Sequence, residues 1–459
     1  MKYRFQRIAI YVLAVISVCL GNASAAVPTK TLPIVYVNTG GKTIEDTETQ
    51  IPATVYIDPL TSGYDSLGSA QAPLAATLKG RGNYTWKDFD KKPYKLKFDV
   101  RQKVLGMPHN RHWCLMAGAD DNLGFLRNPV GYMLSKAVGL RWTPRMRPVE
   151  LVLNGQYKGL YFLTEHVRIA GHRVRIKEQA DNETSPDSIT GGWLVEIDNY
   201  LNSTNIEFYE GNGQKVMVSL REPEELSSAQ RSYIEQQIYG LNDALYASSS
   251  ARLEQMMDID EAARYYLVQE IMEDCESYHG SCFLYKDRDS LGTTDKWKFG
   301  PVWDFGNAYN RHQEQWIYIY PTWPQYWIGQ LASWPVFQKK VQEQWWIFYH
   351  EHKDSVRAEI QAFADKIETA AKRDADVWRN TQNYCDNSNF SDVRDRFLRR
   401  YDWRVKWLYS QWGEGIQPST EGLEANGERQ ETQKILRNGQ LYLMYKGAMY
   451  DVQGRKIDN

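Results

Sequence analysis

Cysteine is scarce in this chain: there are five in 459 residues, and one of them, Cys19, lies in an apolar run near the N-terminus. The other four, Cys114, Cys275, Cys282 and Cys385, are too few to frame a protein of this length. Cys275 and Cys282 also lack the spacing of zinc ligands. Buried thiols, with at most one bridge, are the expectation. A charge excess of one sign is missing too. The formal net charge is −2, and without Lys2, Arg4 and Arg7 it is −5, which gives no electrostatic ground for nucleic acid or an anionic membrane as partner. No apolar run reaches the roughly 20 residues that span a bilayer, so no transmembrane anchor is expected. There is no P-loop, no H-E-x-x-H and no G-x-S-x-G, so the common motif-bearing NTPases, metalloproteases and serine hydrolases lose support.

What is present begins with a leader. Lys2, Arg4 and Arg7 precede the apolar run Ile8 to Gly21, and Ala23-Ser24-Ala25 forms a small-residue cleavage site. Residues 1–25 are therefore expected to be a signal peptide, and the mature protein to be exported to the periplasm, cell surface or medium. Aromatics make up 13% of the chain, ample for a large core. Pro33 to Asn38 and Ile51 to Ile57 have strand character, and Tyr94, Leu96 and Phe98 alternate with Lys95 and Lys97 as a strand with one buried face does. Arg147 to Val167 spells a hairpin about Asn154-Gly155, and Thr190 to Asp198 another strand. A helix is expected from about Leu123 to Val138, broken or begun afresh at Pro129. From Glu224 onward helices are expected over Ser227 to Ala247, Asp260 to Glu273, Trp334 to Tyr349, Lys353 to Ala375 and Phe390 to Trp412, where apolar residues recur three and four apart. Trp297, Phe299, Val302 and Phe305 are strand-like. This gives an α+β chain with antiparallel strands in its N-terminal half and helices in its C-terminal half. A main domain is expected over 26–413, a polar linker over 414–433 and a small tail of two short strands over 434–459.

Several polar residues stand where strands end. The turn K-G-R-G-N at 79–83 can bring backbone N–H groups and Arg81 to a phosphate. Lys95 follows on a strand, and Glu165 ends the apolar run G-L-Y-F-L-T-E. Asp304 lies between Trp303 and Phe305, where a buried acid needs a metal, a base or backbone donors to satisfy it. A phosphate-cradling turn, a strand lysine, a carboxylate to hold it and a metal-binding acid are the parts of a phosphoryl-transfer site, in that template's order.

The motifs KGRGNYTW…KKPYKLKFD, LRN at 126–128, VELVLNGQYKGLYFLTEHVRI, GGWLVEID, YLVQEIMEDCESYHGSCFLYKD and GPVWDFGNAYN together resemble those of the CotH-type spore-coat kinase family, over about residues 33–411. The resemblance implies an atypical protein-kinase-like fold and transfer of phosphate from ATP to protein Ser or Thr with Mg²⁺ or Mn²⁺. It implies that Gly80, Arg81, Gly82 and Asn83 meet the nucleotide phosphates. Lys95 would be the strand lysine, with Lys92 and Lys97 near enough to leave the register open. Glu165 would be its partner and Asp304 a metal ligand. The family's D-x-x-x-x-N carries Glu276 and Ser281 here, as catalytic carboxylate that accepts a proton and as metal ligand, with Asp274 able to replace Glu276 only after a local shift. Its W-D-F-D becomes Trp303-Asp304-Phe305-Gly306. The tail, with Y-D-x-Q-G-R, resembles the C-terminal sorting regions of exported Bacteroidetes proteins.

Two other classes fit parts of the sequence. A catalytically silent binding or surface-assembly protein on the same fold would keep the motifs without the chemistry. A carbohydrate-active protein would use the aromatics of YPTWPQYW at 320–327, with Glu165 and Asp304 as paired carboxylates.

Overall fold

The computed structural model describes residues 27–198, 205–211, 213–319 and 326–418, together with the backbone of four strands between 433 and 457. The expected leader at 1–25, residues 320–325 of the aromatic segment and most of the 414–433 linker lie outside the described residues. By internal contacts the chain divides into Met1–Gly415 and Ile416–Asn459.

Alternating apolar residues build the first layer, a barrel. Strands β1 (Ile34–Asn38), β2 (Ile51–Asp58), β3 (Leu74–Gly80), β4 (Tyr94–Val104), β5 (Met107–Met116), β6 (Met146–Leu153) and β7 (Gln156–Glu165) close in the order β1-β2-β3-β4-β5-β7-β6. The expectation of antiparallel strands holds for every pair but one: β1 and β6 run parallel, and that pairing closes the barrel. Val35, Val55, Leu96, Phe98, Trp113, Leu151 and Leu163 fill its interior. On β4 the buried set is Tyr94, Leu96 and Phe98, so Lys95 and Lys97 point outward. The β4–β5 hairpin extends past these residues through a polar stretch whose two faces are both solvated, and no alternation marks it in the sequence. The Asn154-Gly155 turn has positive φ at both residues, 51° and 76°, as the tight hairpin between β6 and β7 requires.

A second, antiparallel sheet follows in the order β12-β11-β8-β10-β9, from β8 (Trp193–Ile197), β9 (Asn205–Tyr209), β10 (Lys215–Glu222), β11 (Cys282–Lys286) and β12 (Lys298–Phe299). Two of its strands thus come from the mainly helical half of the chain, and one of them, β12, falls within the stretch at 297–305 expected to be strand-like. Nine α-helices are described: α1 (Tyr84–Asp88), α2 (Arg127–Ala137), α3 (Ser228–Leu245), α4 (Ala251–Met256), α5 (Ile259–Met272), α6 (Tyr326–Leu331), α7 (Pro335–Ile347), α8 (Lys353–Trp378) and α9 (Phe390–Trp412). Pro129 falls in the first turn of α2, where its missing N–H costs nothing, so the helix starts at Arg127 and is not broken. Helix α8 packs on β7. There the fully buried Lys91 and Asp374 form an ion pair at 2.7 Å. Cys114, Cys275 and Cys282 are buried, Cys385 is half-buried, and all four are free thiols.

Considered by itself, the C-terminal unit is a four-stranded antiparallel sheet, β13 (Gln433–Arg437), β14 (Gln440–Tyr445), β15 (Ala448–Tyr450) and β16 (Lys456–Ile457), twice the number of strands expected from its sequence. Among the described residues no helix is long and apolar enough to cross a membrane.

Candidate active site

A cleft of about 860 Å³ opens between the barrel and the second sheet. Its barrel side carries Arg81, Gly82 and Asn83 from the turn after β3, Lys95 from β4, and His112, His166 and Arg168 from β5 and the segment after β7. Its far side carries Glu196 and Asp198 of β8 and its end, Arg221 of β10, Glu276 and Ser281 before β11, and Asp120, Asp304 and Asn307 from two loops. The cleft thus has a mainly basic wall facing a mainly acidic one.

The local backbone shows why these residues turn inward. Gly82 has φ +81°, and a Cβ there would come 2.7 Å from Thr85 Oγ1, so the turn after β3 needs glycine. Arg81 lies with its guanidinium 5.6 Å from the Trp303 ring centroid. Gly80 is not among the lining residues; it is buried, and a Cβ would meet the Trp86 ring at 2.7 Å, so its role is packing behind the turn and not contact with phosphate. The register of the lysines also resolves. Lys91 is taken by Asp374, Lys92 donates to the Trp86 carbonyl, and of the four lysines at 91–97 only Lys95 lines the cleft. Burial holds Lys95 below the usual lysine range, with Lys79 and Arg168 adding to that shift and Cys114 and Glu224 opposing it.

Glu165 departs from its expected place. Its carboxylate is buried, pairs with Arg145 Nη1 at 3.1 Å, accepts the Arg145 backbone N–H at 2.9 Å and has Arg173 Nε at 3.8 Å. No ion pair joins it to Lys95 among the described residues, and it does not line the cleft. The physical reason is orientation: Glu165 lies opposite Trp113, whose side chain fills the barrel, while Lys95 points out of it. The same burial removes Glu165 as a partner for Asp304 in a glycosidase-like carboxylate pair.

Asp304 was expected as a buried acid and is exposed in the cleft, while Trp303 and Phe305 on either side are buried. A left-handed backbone, φ 53°, turns the acid out between two inward aromatics, and Ser281 across the cleft is left-handed too, φ 51°. Such conformations are unfavourable for non-glycine residues and collect at functional sites.

Helix α2 holds the Asp304 loop, a role the L-R-N motif gave no sign of by itself. Asn128 Oδ1 accepts the Phe305 N–H at 3.1 Å. Arg127, 2% exposed, donates from Nε to the Ala308 carbonyl at 2.8 Å and from Nη1 to the Asp120 carbonyl at 3.2 Å. A Cβ on Gly131 would lie 2.1 Å from the Phe305 ring, so only glycine lets that ring seat on the helix. A second omission is the imidazole pair. His112 and His166 have ring centroids 6.5 Å apart. Burial first, then Arg168, Lys95 and other cations, push His112 down to about 3, so it meets a ligand uncharged.

On the acidic wall Glu276 accepts the side-chain amide of Asn307. Burial and the nearby Asp304 raise its carboxyl to about 7. Asp120 is raised to about 7 by burial, Asp304 and Asp121, and Glu196 to about 7 by burial, although Arg221 bridges it to Asp198. Behind them the fully buried Asp274 is held well above the usual carboxylate range by burial, Glu276 and Asp304, and it does not line the cleft. Clustered acids with raised values mark a place where positive charge is wanted. Among the described residues no three acid, His or Cys side chains close on one point to hold a metal alone. The donors present are hard oxygens, from Asp304, Asp120, Glu276 and Asn307. That set fits Mg²⁺ or Mn²⁺, the former usually held by one or two carboxylates plus phosphate oxygens and water.

No curated protein matches this chain. A family model described as CotH kinase protein matches residues 78–408, a span that runs from β3 to α9 and includes every residue of the cleft. The chain belongs to the CotH kinase family.

Proposed function

We propose that this chain is an exported atypical kinase that transfers the γ-phosphoryl group of ATP to a protein Ser or Thr in this cleft. The observation that carries the reading is the convergence on one cleft of Arg81, Lys95, Glu276, Ser281 and Asp304 from separate parts of the chain. The barrel and second sheet would then be an elaborated relative of the kinase architecture. The volume falls within the roughly 300–1,000 Å³ typical of small-molecule sites.

In this reading the N–H groups of the 81–83 turn, with Arg81 and Lys95, bind the phosphate chain. Arg168, also on the basic wall, adds charge at its mouth. Asp304, with Asn307 and Ser281 nearby, holds the divalent cation, which when bound neutralises charge on the phosphate oxygens. Glu276 accepts the proton of the substrate hydroxyl. Its longer side chain is steadied by the Asn307 amide, which supplies the carboxamide that Ser281 lacks. Arg127 and Asn128 fix the loop that presents Asp304.

The test is calorimetric titration of ATP into the mature chain with and without Mg²⁺ or Mn²⁺, comparing wild type with Asp304→Asn. Metal-dependent binding that the variant loses is the expected result. Binding by the variant equal to wild type would remove Asp304 from the site, and no binding under any metal would end the kinase reading. The second reading, a silent binding protein on the same fold, draws on one observation: the Glu276 carboxylate is already engaged by Asn307. ATP binding without turnover would favour it.

A further inference from the structure

We propose that Asp120 is a second carboxylate ligand of the divalent cation, reaching it through the gap left by the missing side chain of Gly306. The inference rests on the kinase reading of the cleft and adds a residue to it. A Cβ built on Gly306 would lie 3.0 Å from Asp120 Oδ2 and 3.4 Å from Asp304 Oδ1. Both carboxylates therefore border one small space, and they come from loops far apart in sequence. Any larger residue at 306 would push a side chain into that space.

Three observations separate this arrangement from an incidental pair of acids. First, the capping work in the Asp120 loop is done by its neighbour. Asp121 Oδ1 accepts the Leu123 N–H at 2.8 Å, and Asp121 Oδ2 accepts the Arg127 N–H at 3.0 Å. The Asp120 carboxylate accepts no hydrogen bond from another described residue, and it lines the cleft.

Second, the backbone that carries Asp120 is pinned. The Ala119 carbonyl accepts the Cys385 N–H at 3.1 Å, and the Asp120 carbonyl accepts Arg127 Nη1. Arg127 also holds Ala308, so one buried guanidinium fixes the distance between the loops that bear the two acids. Third, that guanidinium is occupied elsewhere. Its remaining bonds go to Asn122 and Asn310, and its approach to a carboxylate, at 3.9 Å, is to Asp121. Two carboxylates border one gap, and among the described residues neither forms an ion pair with a base, which disfavours the arrangement unless a cation fills it. A binding site assembled in this way, with one acid on each of two clamped loops, uses position 306 for space where a side chain could have supplied the oxygen.

The experiment measures Mn²⁺ binding to the full mature chain by loss of the free-ion electron paramagnetic resonance signal, with and without ATP. Wild type is compared with Asp304→Asn, Asp120→Asn, Asp120→Ala, and Asp120→Ala combined with Gly306→Asp. Gly306 has no left-handed backbone, so a side chain is conformationally admissible there. Asp120→Ala and Asp120→Asn should weaken Mn²⁺ binding at least about 10-fold, the scale on which even outer partners of metal sites act. The double variant should recover most of that loss, which a merely structural role for Asp120 would not allow. Thermal melting of each variant establishes that it folds, and the near-isosteric Asp120→Asn keeps the test decisive if the alanine variant does not. Folded Asp120 variants that bind Mn²⁺ like wild type, while Asp304→Asn does not, would overturn this inference and leave the kinase reading intact. A folded double variant that binds no better than Asp120→Ala would also overturn it. A wild type that binds neither Mn²⁺ nor ATP would overturn both.

Discussion

Replacing Lys91 by Met should expose what the buried ion pair between β7 and α8 contributes. Lys91 and Asp374 are both fully buried, Nζ to Oδ1 at 2.7 Å, and Lys91 also donates to the Leu160 carbonyl at 2.7 Å. Removing one partner of a buried pair costs about 3–5 kcal/mol because the other charge is stranded. Asp374 keeps the Leu160 N–H at 2.7 Å and the Tyr384 hydroxyl at 2.6 Å, so the lower end, about 3 kcal/mol, is the better figure here. With an unfolding entropy of about 2.1 cal/mol/K per residue, a unit of this size should lose roughly 4 °C in Tm at pH 8. The deficit should depend on pH with a definite sign. Burial already raises the Asp374 carboxyl despite Lys91, whose charge opposes the shift, so in the variant it rises further. A carboxyl with a raised folded-state value favours the folded protein at low pH and progressively less as pH climbs from the unfolded value through the folded one. The variant should therefore come closer to wild type at pH 5 than at pH 8. Differential scanning calorimetry at both values tests this, and an equal deficit at the two would refute the stranded-charge argument.

Other outcomes follow from the cleft. Asp120, Glu196 and Glu276 are each raised to about 7, so the metal-free protein should lose stability as pH rises from about 4 through 7; Mn²⁺ should restore more of it at pH 8 than at pH 5, read by Tm. Infrared difference spectra of metal-free wild type against Glu276→Gln should show a carboxylic acid persisting to about pH 7, and Asp304→Asn should lower that titration, because the Asp304 charge is among its causes. On the proposed kinase reading, Glu276→Asp should raise the rate of phosphoryl transfer, since the longer side chain displaces the carboxylate and about 1 Å of displacement can cost about 100-fold; a fall in rate would instead make glutamate the fitted residue. Arg127→Gln should weaken Mn²⁺ binding without removing any ligand, because the loops of Asp120 and Asp304 lose their common clamp; unchanged affinity in the folded variant would dismiss the clamp.

Strand-scale features were legible in the sequence because they are local. The alternation of Tyr94, Leu96 and Phe98 put Lys95 on the outer face of the barrel, and Asn154-Gly155 fixed a hairpin. The positions of Arg81, Lys95, Glu276 and Asp304 as cleft residues were likewise readable from motif order. Partnership was not. Glu165 ends an apolar strand whether it faces Lys95 or Arg145, and the pairing that sets it opposite the inward Trp113, on the face away from Lys95, decides between them. Gly80 and Gly82 look equivalent in G-R-G, yet one packs on Trp86 and the other permits a left-handed turn. Asp120 and Asp121 are adjacent acids, and which one caps a helix and which one faces the cleft depends on where Arg127 reaches. Strands β9 and β10 alternate as well, with Ile206 and Phe208 buried on one and Val216, Val218 and Leu220 on the other, so a period of two marks them in the sequence too.

The parallel β1–β6 pair has a consequence for how the chain is made. Ile34 lies opposite Glu150 and Val37 opposite Leu153, so the first strand cannot complete its hydrogen bonds until the sixth has been synthesised. A nascent chain emerging N-terminus first carries an open sheet with two unsatisfied rims, β1 and β5, for that whole interval. An open rim invites pairing with another chain. Fragments ending before Leu153 should therefore self-associate, and any escort that holds the nascent chain would have most to protect in that window.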